Sequence, residues 1–300
     1  MKVLITGATG LLGQDLVRVF GAGHEVVGVS RRHPQAAQRL DVSSEEDTRR
    51  LISGIRPDWV LHAAAQRSPD YCARHPEECF RINVLGSRNI AWACRETGAK
   101  LLYISTDYVF DGLSSKPYIE PDLPSPVNEY GISKLAGEVY TQYLVEASVV
   151  ARVSTLYGEG GESFVSKTLE AAQQGRTTMA AEDIVSSPSW TMDIAEGLLT
   201  LVERVDKAEA PKAAWAGLYH LASPGEVSRY DLARKALELA GLDPERVKRS
   251  SMKELSLPAV RAGYTALASS RFEAGFIPRL RPWEEALGAF IRSRRETLLR

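Results

Sequence analysis

Lys2-Val3-Leu4-Ile5-Thr6-Gly7-Ala8-Thr9-Gly10-Leu11-Leu12-Gly13 opens on a short strand-like run and passes through three glycines spaced G-x-x-G-x-x-G. An apolar-periodic stretch follows, reading as a helix from Leu11 to about Gly21. Glycines in such a turn let the main chain bend tightly and come close to a ligand. Free N–H groups and the positive end of the following helix then meet the charge of a pyrophosphate. The stretch predicts the first strand-turn-helix unit of a Rossmann-type fold, with Gly7, Thr9, Gly10, Leu11, Leu12 and Gly13 against a dinucleotide.

Outward from that turn, short β-branched runs alternate with helical segments, the pattern of βαβ units feeding a parallel sheet. The strands are predicted at Lys2 to Thr6, Glu25 to Ser30, Trp59 to Ala63, Lys100 to Ser105 and Ser148 to Val153. Helices are predicted in the Ser43 to Ile55 stretch, from about Arg81 to Thr97 and from Tyr130 to about Tyr143. Asp111 to Asn128, rich in proline and serine, reads as a long ordered loop. After Tyr157 the alternation weakens into helical patterns at Glu162 to Gly175, Met192 to Val205, Ser228 to Leu242 and Pro282 to Ser293. The expected class is α/β, a doubly wound parallel sheet over residues 1–156. Residues 157–300 are expected to form mainly a smaller substrate-binding cap, with some segments returning to the Rossmann body.

Past the second strand the chain reads Val29-Ser30-Arg31-Arg32, with no carboxylate where an NAD-specific site would hold the ribose hydroxyls. A guanidinium there can pair bidentately with a 2′-phosphate. Ser30, Arg31 and Arg32 thus predict an NADP(H) preference, with NAD(H) left open. Asp41-Val42 lies where such folds place an acidic residue near the adenine, and Ala63-Ala64-Ala65 gives a small-residue turn past which the dinucleotide runs.

The strand Leu101 to Ser105 ends at Thr106, and Tyr130-Gly131-Ile132-Ser133-Lys134 follows the proline-rich loop. Four residues apart on a helix, Tyr130 and Lys134 share a face. The ammonium can favour ionisation of the phenol and bind ribose hydroxyls. Thr106 can hydrogen-bond a substrate carbonyl while Tyr130 exchanges the proton as hydride moves.

Composition narrows the rest. Three hundred residues with a net charge of -1 and no basic arm argue against a nucleic-acid partner. No apolar run near Met1 is long enough for a signal or membrane segment, so a cytoplasmic protein without a membrane partner is expected. Cys72, Cys79 and Cys94 lack CxxC spacing and read as buried thiols, and the five histidines lack metal-pair spacing. No metal site is expected.

The stretch Ile104-Ser105-Thr106-Asp107-Tyr108-Val109-Phe110-Asp111-Gly112, then Pro117-Tyr118-Ile119-Glu120, Asn128, Tyr130-Gly131 and Ser133-Lys134-Leu135-Ala136-Gly137-Glu138 resembles the central signature of the dTDP-4-dehydrorhamnose reductases. Arg152 with Tyr157-Gly158, Ser187 to Ala195 and Gly217 to Ala222 continue the resemblance along nearly the whole chain. It implies catalytic roles for Thr106, Tyr130 and Lys134, and substrate contacts from Thr106, Asp107, Tyr108 and Arg261. The implied reaction is NADPH-dependent reduction of the C4 ketone of dTDP-4-dehydro-6-deoxy-L-mannose to dTDP-L-rhamnose. The nucleotide sugar is the expected partner, and pairing of the chain with itself is left open.

The chain departs from the family pattern at Gln66-Arg67-Ser68-Pro69-Asp70, at Ser154-Thr155-Leu156 where a tryptophan is usual, and at Arg261-Ala262. A subunit-bridging magnesium known in some members finds Gln14 after Gly13 rather than an acidic residue. The Ala-Ala-Gln-Arg-Ser-Pro-Asp stretch also resembles the regulatory β subunit of methionine adenosyltransferase, a non-catalytic NADP-binding alternative. Reduction of another nucleotide-linked 4-keto sugar is a second alternative.

Overall fold

The computed structural model of the chain describes residues 1–31, 38–207, 215–273 and 279–298. The central sheet holds β1 (Lys2–Thr6), β2 (Glu25–Ser30), β3 (Gln38–Arg39), β4 (Trp59–His62), β5 (Lys100–Thr106), β6 (Ser148–Val153) and the later strand Gly217–His220. In space these seven strands run β3-β2-β1-β4-β5-β6 and then Gly217–His220. Every neighbouring pair is parallel. Strand order reverses between β1 and β4, which leaves a crevice at their carboxyl ends.

The inner strands β1, β4, β5 and β6 are buried nearly throughout because helices cover both faces, while the edge strand β3 is polar and exposed. The helices that matter for the site are α1 (Gly13–Gly21), α2 (Glu45–Ile55), α3 (Pro69–Arg74), α4 (Pro76–Phe80), α5 (Gly86–Thr97), α6 (Glu129–Leu144), α7 (Phe164–Gln173), α8 (Thr191–Lys207) and α9 (Arg229–Ala240). Leu12, Leu16 and Phe20 with Ile194, Leu198 and Leu201 of α8 pack on Val3, Ile5 and Leu61. Ile52 of α2, Ile90 and Cys94 of α5 and Leu144 of α6 pack on Leu4, Val60 and Leu101. A separate core joins Leu169 of α7, Leu232 and Leu237 of α9, and Leu287 and Phe290 of the helix Trp283–Leu298.

The predicted bounds of β1, β2 and β6 coincide with the observed ones, while β5 extends to Thr106 and β4 stops at His62, which frees Ala63 for the turn. The helix expected from Ser43 begins at Glu45, with the Ser44 hydroxyl accepting the Asp47 amide at 3.3 Å as its cap. The stretch expected as one helix from Arg81 starts instead with a π-helical turn, Arg81–Leu85. Two short helices, α3 and α4, were not predicted. Pro69 and Pro76 sit at their starts, where a missing N–H costs nothing. All three cysteines are buried and free. Among the described residues no helix is long and apolar enough to cross a membrane.

Candidate active site

A cleft of 520 Å³ opens at the carboxyl ends of β1, β4 and β5. One end is the glycine turn. Gly7 has φ +69°, and a Cβ there would stand 2.8 Å from the Ala64 nitrogen. A Cβ on Gly13 would stand 2.0 Å from the Gly7 carbonyl oxygen, so α1 can begin this close to β1 only with glycine at that position. The Gly10 amide closes the turn on the Gly7 carbonyl at 2.9 Å. No side chain caps α1 at Leu12, so its leading N–H groups have no side-chain competitor for an outside acceptor. These features fit a pyrophosphate.

Ser30, Arg31, Asp41 and Val42 line the same end of the cleft. Arg31 is about one-third exposed and stands 3.6 Å from Glu78, while Arg32 lies outside the described residues. Asp41 accepts the Ser43 hydroxyl at 2.7 Å and the Ser43 amide at 3.0 Å. Burial pushes its carboxyl up, but those bonds and the Arg81 and Arg31 charges outweigh it and hold the group below its usual range. Ala63, Ala64 and Ala65 line the crossing from β1 to β4, where the Ala64 amide donates to the Thr6 hydroxyl at 3.2 Å.

Sequence reasoning missed the support under this crossing. Asn83, inside the π-helical turn, accepts the Gln66 amide at 2.7 Å and donates to the Gln66 carbonyl at 3.0 Å and the Ser133 hydroxyl at 2.9 Å. It clamps the segment after Ala65 to α6.

Thr106, Tyr130 and Lys134 all line the middle of the cleft. Asn128 caps α6 by accepting the Gly131 amide at 2.9 Å, which sets Tyr130 in the first turn. The Thr106 hydroxyl donates to Asp107 at 3.1 Å and accepts the Tyr108 amide at 3.2 Å. Lys134 donates to the Ile104 carbonyl at 2.7 Å, and its ammonium lies 4.1 Å from the centre of the Tyr103 ring.

The electrostatics differ from the sequence expectation that the ammonium pulls the phenol down. Burial raises the Tyr130 phenol above its ordinary value, against a hydrogen bond with Thr106. Burial also lowers Lys134 to about 7, against the attraction of Glu138. A dry wall disfavours both charged forms, and Lys134 spends its bond on a carbonyl instead of the phenol. Behind this wall Glu138 and Arg152 form a buried two-pronged pair at 2.9 and 2.7 Å, and the Ser105 hydroxyl donates to Glu138 at 2.5 Å.

Of the residues expected at the substrate, Asp107 and Tyr108 line the cleft and Arg261 is absent from its lining. Asp107 is buried and accepts the hydroxyls of Ser154 at 2.8 Å and Thr265 at 2.7 Å besides Thr106. Its carboxyl is raised by burial. Tyr108 meets Tyr130 edge to face at 5.5 Å. Arg261 instead donates to Asp70 at 2.8 Å and to the Ala259 carbonyl at 3.0 Å, which ties the C-terminal segment to α3. Arg67 and Thr155, which lie in stretches where the chain departs from the family pattern, line the cleft. Sequence reasoning did not single out Ser163, Phe164 and Arg229, which line it too; nothing in the local sequence of these three marks them, because the fold alone assembles them.

The family model described as "RmlD substrate binding domain" matches residues 1–296. The chain belongs to the RmlD family. This RmlD-family chain is 35% identical over 286 residues to a dTDP-4-dehydrorhamnose reductase of Streptomyces griseus, covering 95% of the chain and 91% of that protein. It is 33% identical over 286 residues to a dTDP-4-keto-6-deoxy-D-glucose reductase of Streptomyces niveus, covering 95% and 94%. The solved dTDP-4-dehydrorhamnose reductase of Bacillus anthracis in complex with NADP superposes with a TM-score of 0.88 at 28% identity, covering 97% of this chain and 99% of that one. The family fold is therefore shared along the whole length, and the cleft lies where the Rossmann rule puts a dinucleotide.

Proposed function

We propose that this chain is an NADPH-dependent oxidoreductase that reduces the C4 ketone of dTDP-4-dehydro-6-deoxy-L-mannose to dTDP-L-rhamnose. The observation that carries this reading is the lining of one cleft by the glycine turn, Arg31, Thr106, Tyr130 and Lys134. Its relatives are reductases of dTDP-linked keto sugars, which supports the substrate class. The leading end of α1 and Gly7, Gly10 and Gly13 would hold the pyrophosphate, and Arg31 the 2′-phosphate, of a cofactor that supplies hydride when bound.

The chain's own residues do the rest. The Thr106 hydroxyl and the Tyr130 phenol orient the ketone oxygen and share its developing charge. Tyr130, held protonated by burial, gives its proton to that oxygen. Lys134, with a value near 7, can hold or release a proton behind the phenol at neutral pH. Asp107 is kept off the reacting atoms by the Ser154 and Thr265 hydroxyls, which stay on it when Thr106 turns its single proton from Asp107 to the ketone oxygen.

The test is loss of NADPH absorbance with dTDP-4-dehydro-6-deoxy-L-mannose. Turnover by the full chain and a fall in kcat of roughly 10²- to 10⁴-fold in Tyr130→Phe would support the proposal. No turnover by the wild type would defeat the named substrate. A second reading, reduction of another dTDP-linked 4-keto sugar, is favoured by the Streptomyces niveus relative and by Thr155 on the cleft wall. Turnover of dTDP-4-keto-6-deoxy-D-glucose alone would select it.

A further inference from the structure

Four cationic side chains line the cleft among the described residues: Arg31, Arg67, Lys134 and Arg229. Arg31 stands beside Glu78 at the cofactor's 2′-phosphate end, and Lys134 is committed to the Ile104 carbonyl. Arg67 reaches across to the Glu162 carbonyl at 3.1 Å. Arg229, at the first position of α9, is the cation without an assigned role. Its guanidinium donates to the Thr155 hydroxyl at 3.2 Å and lies 5.0 Å from the centre of the Phe164 ring. Both partners are neutral, and among the described residues no carboxylate pairs with it.

A partly buried guanidinium normally finds a counter-charge, because removing it from water is costly. The brace around it carries a cost of its own. Thr155 is a β-branched residue at φ +37°, a conformation such side chains rarely adopt. Its hydroxyl is also held by Ser186 at 2.8 Å. Backbone strain retained on a cleft wall is a mark of a functional position. The charge of Arg229 reaches Asp107 and Tyr108, the two residues that follow Thr106 on the cleft wall.

We propose that Arg229, braced by Thr155 and Phe164, binds the diphosphate of the nucleotide-linked substrate. The cofactor's own pyrophosphate is met by backbone at α1, whereas the substrate's must be met by side chains. A planar fork with most of its N–H donors unspent suits two phosphate oxygens. The inference rests on the nucleotide-sugar reading of the site and adds the residue that anchors the shared, non-reacting part of every such substrate.

The test is calorimetric titration of dTDP, with UDP and GDP in parallel, into the full chain loaded with NADP⁺. Arg229→Ala should weaken dTDP roughly 10- to 100-fold, the loss of charge-assisted hydrogen bonds, and leave NADP⁺ affinity unchanged. Arg229→Gln, which keeps the contact with Phe164, should repeat most of that loss, and Arg229→Lys should recover part of it. Thr155→Val should cause a smaller loss. In turnover, Arg229→Ala should raise KM more than it lowers kcat, as expected for binding shared by ground and transition states. Affinity for dTDP within twofold of wild type in Arg229→Ala and Arg229→Gln overturns the inference alone. Equal weakening of NADP⁺ and dTDP also overturns it, since the residue would then act on the fold. Failure of the wild type to bind any of the three diphosphates overturns the nucleotide-sugar reading and this inference together.

Discussion

Lys134 carries a charge that the folded chain barely tolerates, and this has a consequence for stability as well as catalysis. Its folded value of about 7 lies below the ordinary 10.5, so between those values the unfolded chain binds more protons than the native one. Stability therefore rises as pH climbs from 7 toward 10.5, by at most about 1.4 kcal/mol per pH unit from this group. Urea midpoints measured from pH 7 to 8.5 should climb more steeply in the wild type than in Lys134→Met; parallel slopes would show that the lysine titrates normally. Arg31 supports a different prediction. If Arg31 and Arg32 meet the 2′-phosphate, replacing both by alanine should weaken NADPH roughly 10- to 100-fold and NADH by much less. Equal weakening of the two cofactors would remove that role.

At the scale of elements, the site depends on α6 lying against β5 and β6 with a buried ion pair between them. Glu138 on α6 and Arg152 on β6 are both almost fully buried, and the pair is completed by Ser105 at the end of β5. Glu138→Ala would strand the guanidinium, at a cost of about 3–5 kcal/mol. Chemical denaturation should show that loss, with Glu138→Gln falling between; a loss under about 1 kcal/mol would mean that water reaches the pair. The glycine turn, β1, β2, β6 and the helix bearing Tyr130 and Lys134 were legible in the sequence because each is fixed by local periodicity or by residues within one turn. The short helices α3 and α4 were not, since their proline starts look like loop punctuation. Asn83 looked like any polar helix residue, and only the π-helical turn aims it at Gln66. Arg229 was invisible for a different reason: it becomes a site residue only when the start of α9 is brought against Thr155, just past β6, and that pairing has no sequence periodicity. Arg261 was legible as a substrate residue only through the family resemblance, and the structure gives it to Asp70.

At the scale of the whole molecule, the later half of the chain does not merely cap the earlier one. The strand Gly217–His220 extends the central sheet beside β6, and α8 shares a core with α1. At the glycine turn, Gln14 donates to the Gly160 carbonyl at 3.0 Å, and a Cβ on Gly160 would stand 2.7 Å from the Leu11 carbonyl oxygen. Beneath it Thr191 of α8 donates to the buried Asp15 of α1 at 2.6 Å. Contacts of this kind make the two halves unfold together, because neither can expose its face without opening the other's core. A dinucleotide bound between them should then stabilise the entire chain. At a concentration of about 100 times Kd it adds about 2.7 kcal/mol, which for a chain of this size raises Tm by roughly 5 °C. Calorimetry with NADP⁺ should show one transition that moves as a unit, and Gln14→Ala should lower both the starting Tm and the size of the shift. If a second transition instead stays fixed while the first moves, residues beyond Tyr157 fold on their own, and Arg229 would reach the cleft only when the two units dock.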